Sequence, residues 1–118
     1  MSVFHKLEDI PVHKFPVGDI RLIAGKQSMV FWAKIPAGGH TEAHQHSNEQ
    51  ITWVVSGRVD YKLDTGEEKS CGPGTVLVIP GGVVHESWYR EDCEIVEFFS
   101  PPRLDLFPAA ATNPYGVE

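Results

Sequence analysis

The chain has 118 residues, of which 42% are hydrophobic and 22% charged, with a formal net charge of -6. That length suits one soluble globular domain with a core that needs no disulfide staples. The acidic balance leaves no basic stripe to offset nucleic-acid phosphates, and no apolar run reaches bilayer-spanning length, so neither nucleic acid nor a membrane is expected as a partner.

The first segment, MSVFHKLEDIPVHKF, interleaves charges every few positions and has no apolar core followed by small residues. It does not read as an export signal, which predicts a cytoplasmic protein. From there on, eleven glycines and nine prolines cut the chain into short pieces rich in Val, Ile, Thr, Phe and Trp. Those pieces read as strands: IRLIAGK, SMVFWAKI, EAHQH, QITWVVSG, RVDYKLD, EKSC, TVLVI, HESWYR and CEIVEFFS, with turns at PAGG, DTGE, GPG and PGG. Helical periodicity persists nowhere. The spacing predicts an all-β domain, a closed barrel or two-sheet roll. The final SPPRLDLFPAAATNPYGVE holds four of the nine prolines and is expected to run as an extended tail across the barrel or a neighbouring subunit. Cys71 and Cys93 lack zinc-type pairing and are expected as free thiols in a reducing compartment.

Three of the six histidines fall within seven residues, His40, His44 and His46, just ahead of an apolar strand. On a strand, side chains two apart share a face, so His44 and His46 point to the same side and their ring nitrogens can converge on one ion. A helical reading would pair His40 with His44, but the following residue is Thr41 rather than the glutamate of a zincin helix, and Gly38 and Gly39 discourage a helix. Farther on, His85 follows an apolar strand and a Pro-Gly-Gly corner able to deliver a further imidazole.

These two stretches resemble the two motifs of the cupin family. Gly38, His44, His46, position 50 and Gly57 fit the first, and Gly74, Pro80, Gly82 and His85 fit the second, in order and with the glycine and proline spacing intact. The resemblance implies a small single-domain cupin of the RmlC-like superfamily: a double-stranded β-helix, or jelly-roll barrel, with one divalent transition metal (Ni, Zn, Fe or Mn) on His44, His46, Gln50 and His85. In this division residues 1–37 form an N-terminal arm and the first strands, 38–99 the barrel core with both motifs, and 100–118 the tail of one domain. Two positions depart from the pattern: Gln50 stands where glutamate is usual, and Tyr89 where asparagine is. Glu49 competes with Gln50 for the fourth ligand position, since a bulge at Ser47-Asn48 would exchange their faces. The HxHxxEQ variant and the FFSPPRLDLF ending resemble the glutamine-ligand cupins that open unsaturated uronates in pectin and alginate breakdown, and a bacilysin-pathway isomerase. The resemblance also implies a homodimer, with IPVHKF as an exchanged arm.

Three imidazoles and an amide are all neutral, so they leave the positive charge of a bound ion undiminished, which favours stabilising an enolate as it forms. The expected activity is isomerisation, tautomerisation or ring opening of a small acidic, uronate-like or keto-acid substrate. The alternatives are an iron-dependent dioxygenase and a non-catalytic barrel that binds a sugar or metabolite through its metal. For the general acid or base the sequence offers Tyr61, Arg58 and His40, and for a carboxylate anchor Arg21, Arg58, Lys34 or Tyr61. Trp32, Trp53 and Trp88 read as core or interface aromatics rather than substrate platforms.

Overall fold

The computed structural model describes residues 3–107. Its ten strands are β1 (His13–Phe15), β2 (Gly18–Ala24), β3 (Met29–Ile35), β4 (His40–His44), β5 (Glu49–Ser56), β6 (Val59–Leu63), β7 (Glu68–Cys71), β8 (Val76–Ile79), β9 (His85–Tyr89) and β10 (Cys93–Ser100). They form two antiparallel sheets, one of six strands in the order β1-β2-β3-β10-β5-β8 and one of four in the order β4-β9-β6-β7. The all-β, jelly-roll expectation holds. Nine of the ten strands overlap those read from the sequence, but β2 and β4 lie two residues earlier than IRLIAGK and EAHQH, so His46 falls in the loop after β4 and not on the strand with His44. The other strand, β1, three residues long and followed by Pro16, is too short to carry an alternation signal. Leu7–Asp9 and Leu104–Leu106 are single 3-10 turns.

Alternation builds the core. Along β3, Met29, Phe31, Ala33 and Ile35 are buried while Val30, Trp32 and Lys34 take the other face. On β10, Ile95 pairs with Ala33 on one side and Val54 on the other, and all three have 0% exposure. Burying an isoleucine in this way contributes about 1.5–3 kcal/mol. Leu106 and Phe107 of the tail pack against this core; the rest of the tail, from residue 108, lies outside the described residues.

The segment IPVHKF folds back on its own chain, with His13 opposite Ile20 and Phe15 opposite Gly18. Cys71 and Cys93 are free and buried. The outward side of the larger sheet carries exposed Trp53, Val76, Val78 and Phe98. Among the described residues no helix is long and apolar enough to cross a membrane.

Candidate metal centre

The centre is assembled from two pieces of chain that the Pro-Gly-Gly corner locks together. Gly82, at φ +84°, donates its N–H to the carbonyl of His46 at 2.8 Å. Gly81 lies so close to the carbonyl oxygen of Ser47 that any Cβ would collide with it. Both glycines are therefore required: one for a left-handed backbone, the other for close approach. The corner thus sets His85, the first residue of β9, beside the loop that bears His46.

His44 arrives by a different route. Thr41 pairs with Ser87 and His44 with His85, so β4 advances three residues where β9 advances two. This bulge turns His44 to the inner face shared by Thr41 and leaves His40 on the outer one. Simple alternation would have kept His40 and His44 on one side.

The ring centroids lie 4.2 Å apart for His44 and His85, 5.0 Å for His46 and His85, and 5.7 Å for His44 and His46. One ligand nitrogen from each ring falls within 4.8 Å of the others, against the ~4.2 Å that two imidazoles can span across one ion at ~2.1 Å per bond. Each ring is oriented by the backbone. Nδ1 of His44, His46 and His85 lies 2.9, 3.0 and 2.9 Å from the carbonyl oxygens of Glu42, Asn48 and Val83. A carbonyl only accepts, so Nδ1 carries the proton in all three neutral rings and each Nε2 is left with a lone pair. The buried Nε2 of His85 has no partner.

Gln50 sharpens the fit. Its amide nitrogen donates to Thr52 Oγ1 at 2.8 Å and to Glu97 Oε2 at 3.1 Å, which leaves Oε1 facing His46 Nε2 at 3.1 Å. With neutral His46 these are two acceptors in contact, an arrangement that a cation between them relieves. Burial lowers the pKa of His46 and brings that of His85 down to about 4, so both rings are neutral, the form that binds metal, at physiological pH. The donor set therefore fits a divalent transition metal.

A cavity of about 260 Å³ opens from the histidines into the barrel. Glu97 lines it from β10, and burial pushes its carboxyl up to about 7, with the positive charge of Arg103 and a hydrogen bond from Thr52 opposing the rise. Arg103, in the segment after β10, also lines the cavity; its guanidinium sits 5.3 Å over the Phe99 ring and donates to Asp105 at 2.9 Å, while its buried Nε has no partner. A larger open groove of about 460 Å³ lies at the far end of β10, beside Asp19, Lys34 and Asp92, and contains no histidine.

Comparison with known proteins places this geometry. A cupin domain model matches residues 31–99. The chain belongs to the cupin family. Among solved structures, this cupin is similar to KdgF from Halomonas sp., with a TM-score of 0.80 and 27% identity over 88% of this chain and 99% of that one. An RmlC-like cupin from Shewanella frigidimarina NCIMB 400 gives a TM-score of 0.83 at 21% identity, over 91% and 97% of the two chains. An oxalate decarboxylase variant from Bacillus subtilis gives 0.72 at 16% identity, over 81% and 28%. No curated protein matches the sequence.

Of the residues singled out from the sequence, the cupin barrel brings His44, His46, Gln50 and His85 together. Glu49 is exposed, on the opposite side of β5 from buried Gln50. Tyr61 lines the cavity and is buried, which holds its phenol well above 10 and therefore protonated. His40 and Arg58 are not brought to the cavity. His40 stacks on Trp88 at 5.3 Å and pairs with Glu86 at 2.6 Å on the outer face, and Arg58 donates to Ser70 at the barrel surface. Nor are Arg21 and Lys34: the first donates to the carbonyl of Ile10, and the second lines the far groove. None of the three tryptophans lines the cavity. Sequence reasoning missed Glu97 and Arg103. Alternation along CEIVEFFS offered a signal for Glu97, a charged residue on the parity of Ile95 and Phe99, but nothing local marks Arg103.

Proposed function

We propose that this cupin binds one divalent transition metal through His44, His46, Gln50 and His85 and isomerises or ring-opens a small uronate-like acid. The observation that carries this reading is the set of neutral donors around one point, three histidine Nε2 lone pairs and the Gln50 amide oxygen, with no carboxylate among them. When bound, the metal supplies Lewis acidity that polarises a carbonyl or hydroxyl oxygen of the substrate.

The chain's own residues supply the remainder. Arg103 offers a cation in a low-dielectric cavity where a substrate carboxylate needs a counter-charge. Glu97, inside the same cavity and hydrogen-bonded to Gln50, is the group best placed to hold or move a proton at its carboxylate oxygens. Its bond to Gln50 also keeps the amide oxygen turned towards the histidines. The apolar part of the wall, Phe15, Ile20, Phe31 and Ile35, would shield an enol-type species from bulk water. Further support comes from the similarity to KdgF over nearly the whole of both chains, and from the resemblance of the HxHxxEQ and FFSPPRLDLF segments to the uronate-opening cupins.

We also propose that the protein is a cytoplasmic homodimer. Two free thiols suit a reducing compartment, and the apolar outward patch of the larger sheet suits a second copy. Light scattering in dilute solution should give twice the subunit mass.

The activity is tested by metal analysis of protein purified without added metal or chelator, followed by incubation with an unsaturated uronate while its enone absorbance is followed. Loss of absorbance with nickel or zinc bound, without oxygen uptake, is the expected result. Oxygen uptake that requires iron would replace this reading with a dioxygenase. Binding without turnover under any metal would leave a metabolite-binding barrel.

A further inference from the structure

The wall of the cavity formed by the smaller sheet is lined with hydroxyl groups that neither the metal centre nor the proton-transfer step uses. Thr41 pairs with Ser87, and Ser87 with Tyr61, in a cross-strand row over β4, β9 and β6. His44, His85 and Leu63 form the next row towards the metal. Two residues of strand separate the rows, a distance of about 7 Å. Tyr89 adds a fourth hydroxyl, and all four residues line the same cavity.

The hydrogen bonding within this wall is incomplete. Ser87 donates to the Tyr89 hydroxyl at 3.3 Å, and the Tyr89 and Thr41 hydroxyls share one long contact of 3.5 Å. The buried hydroxyl of Tyr61 has no partner. A buried tyrosine normally has its O–H paired, because an unpaired one costs about 1–3 kcal/mol. Both phenols stay protonated at neutral pH, since burial raises Tyr89 to about 12 and Tyr61 well above 10. The wall therefore retains donors and acceptors beyond those its members satisfy in one another. Opposite it stand Gln50 and Glu97 of the larger sheet, so a ligand between the sheets would meet polar groups on both sides.

We propose that Thr41, Tyr61, Ser87 and Tyr89 form a polyol subsite: it binds the hydroxyl-bearing carbon chain of a sugar acid whose oxygenated end is held at the metal. This deepens the proposed function and rests on it for the position of the metal-bound end. The subsite selects by length and hydroxylation. With the rows about 7 Å apart along the strands, a two-carbon ligand held at the metal is expected to leave the hydroxyl row uncontacted, whereas a six-carbon hydroxy acid spans both rows.

The test uses full-length protein loaded with nickel and measures calorimetric binding of D-galacturonate, which lacks the unsaturated bond of the proposed substrate, and of glycolate. The variants are Ser87→Ala and Tyr61→Phe, each checked for unchanged metal content. Wild type should bind galacturonate at least tenfold more tightly than glycolate. Each variant should lose about five- to tenfold in galacturonate affinity, the size of one hydrogen bond, and leave glycolate unchanged. Equal wild-type affinity for both acids overturns the proposal. So does galacturonate affinity within twofold of wild type in both variants, or an equal loss for both acids. Galacturonate discrimination without turnover of an unsaturated uronate would sink the isomerase reading and leave the subsite standing.

Discussion

The two ends of the barrel are built from the same strands and do different work. On β5, Val54 faces the sealed end, whereas Gln50 and Thr52 face the metal end; on β10, Ile95 and Glu97 divide in the same way. Around Val54 and Ile95 the inward side chains Ala33, Ile35 and Val59 are apolar and almost wholly buried. At the metal end, buried polar groups lean on each other, and three of them, His85 Nε2, Tyr61 Oη and Arg103 Nε, have no partner at all. Such gaps reduce stability, and they survive because the apolar end holds the sheets in register while the polar end waits for its ligands.

The comparison breaks most sharply if one substitution at each end is set side by side. His85→Ala removes a proposed ligand, and metal affinity should fall by more than the roughly 10–100-fold typical of losing a supporting partner, with turnover lost alongside. Inductively coupled plasma analysis after dialysis measures this. Retention of stoichiometric metal would remove His85 from the site. Ile95→Ala should instead cost about 2–5 kcal/mol in urea unfolding, because it opens a cavity between Ala33 and Val54. The folded fraction should still bind one metal.

A smaller effect separates the ends by pH. Burial raises Glu97 to about 7, so the folded state holds this proton where the unfolded chain, titrating near 4.5, has released it. The stabilising contribution is complete below pH 4.5 and is lost as pH rises through 7. In metal-free protein, Glu97→Gln should therefore gain stability over wild type between pH 4 and 8, on the order of 3 kcal/mol. His85 works in the opposite sense: held down at about 4, it removes stability as pH falls from 6.5 towards 4. That term is common to wild type and variant and drops out of the difference. A difference that stays flat with pH would show Glu97 ionising as an exposed carboxylate does. An Ile95→Ala difference should have no such slope.

Much of this was legible in the residues, and the exceptions have physical causes. Strand positions followed from alternation and from Gly and Pro punctuation, because β3 and β10 each bury one face and the pattern records it. His44, His46 and His85 stood out through their spacing and the Pro-Gly-Gly corner. Their supporting contacts did not: His44 faces inward only because of a bulge within Thr41–His44, and a bulge has no composition signal here. Arg103 was hidden for a related reason. It reaches the cavity from an irregular segment whose path depends on tertiary packing of Leu106 and Phe107, not on local periodicity.

The smallest expected effect tests that bulge directly. His40 shared strand parity with His44 and so was a candidate acid or base, but the extra residue in β4 places it outside, between Glu86 and Trp88. Its side chain is 40% exposed and that of Glu86 24%, so their pair is solvent-screened and worth about 1 kcal/mol or less. His40→Ala should thus lower stability by no more than that, and leave both metal content and kcat within twofold of wild type. A kcat loss of tenfold or more, with metal retained, would mean that His40 reaches the reacting atoms. β4 would then have to run without its bulge, with His40 on the inner face beside His44 as simple alternation places them.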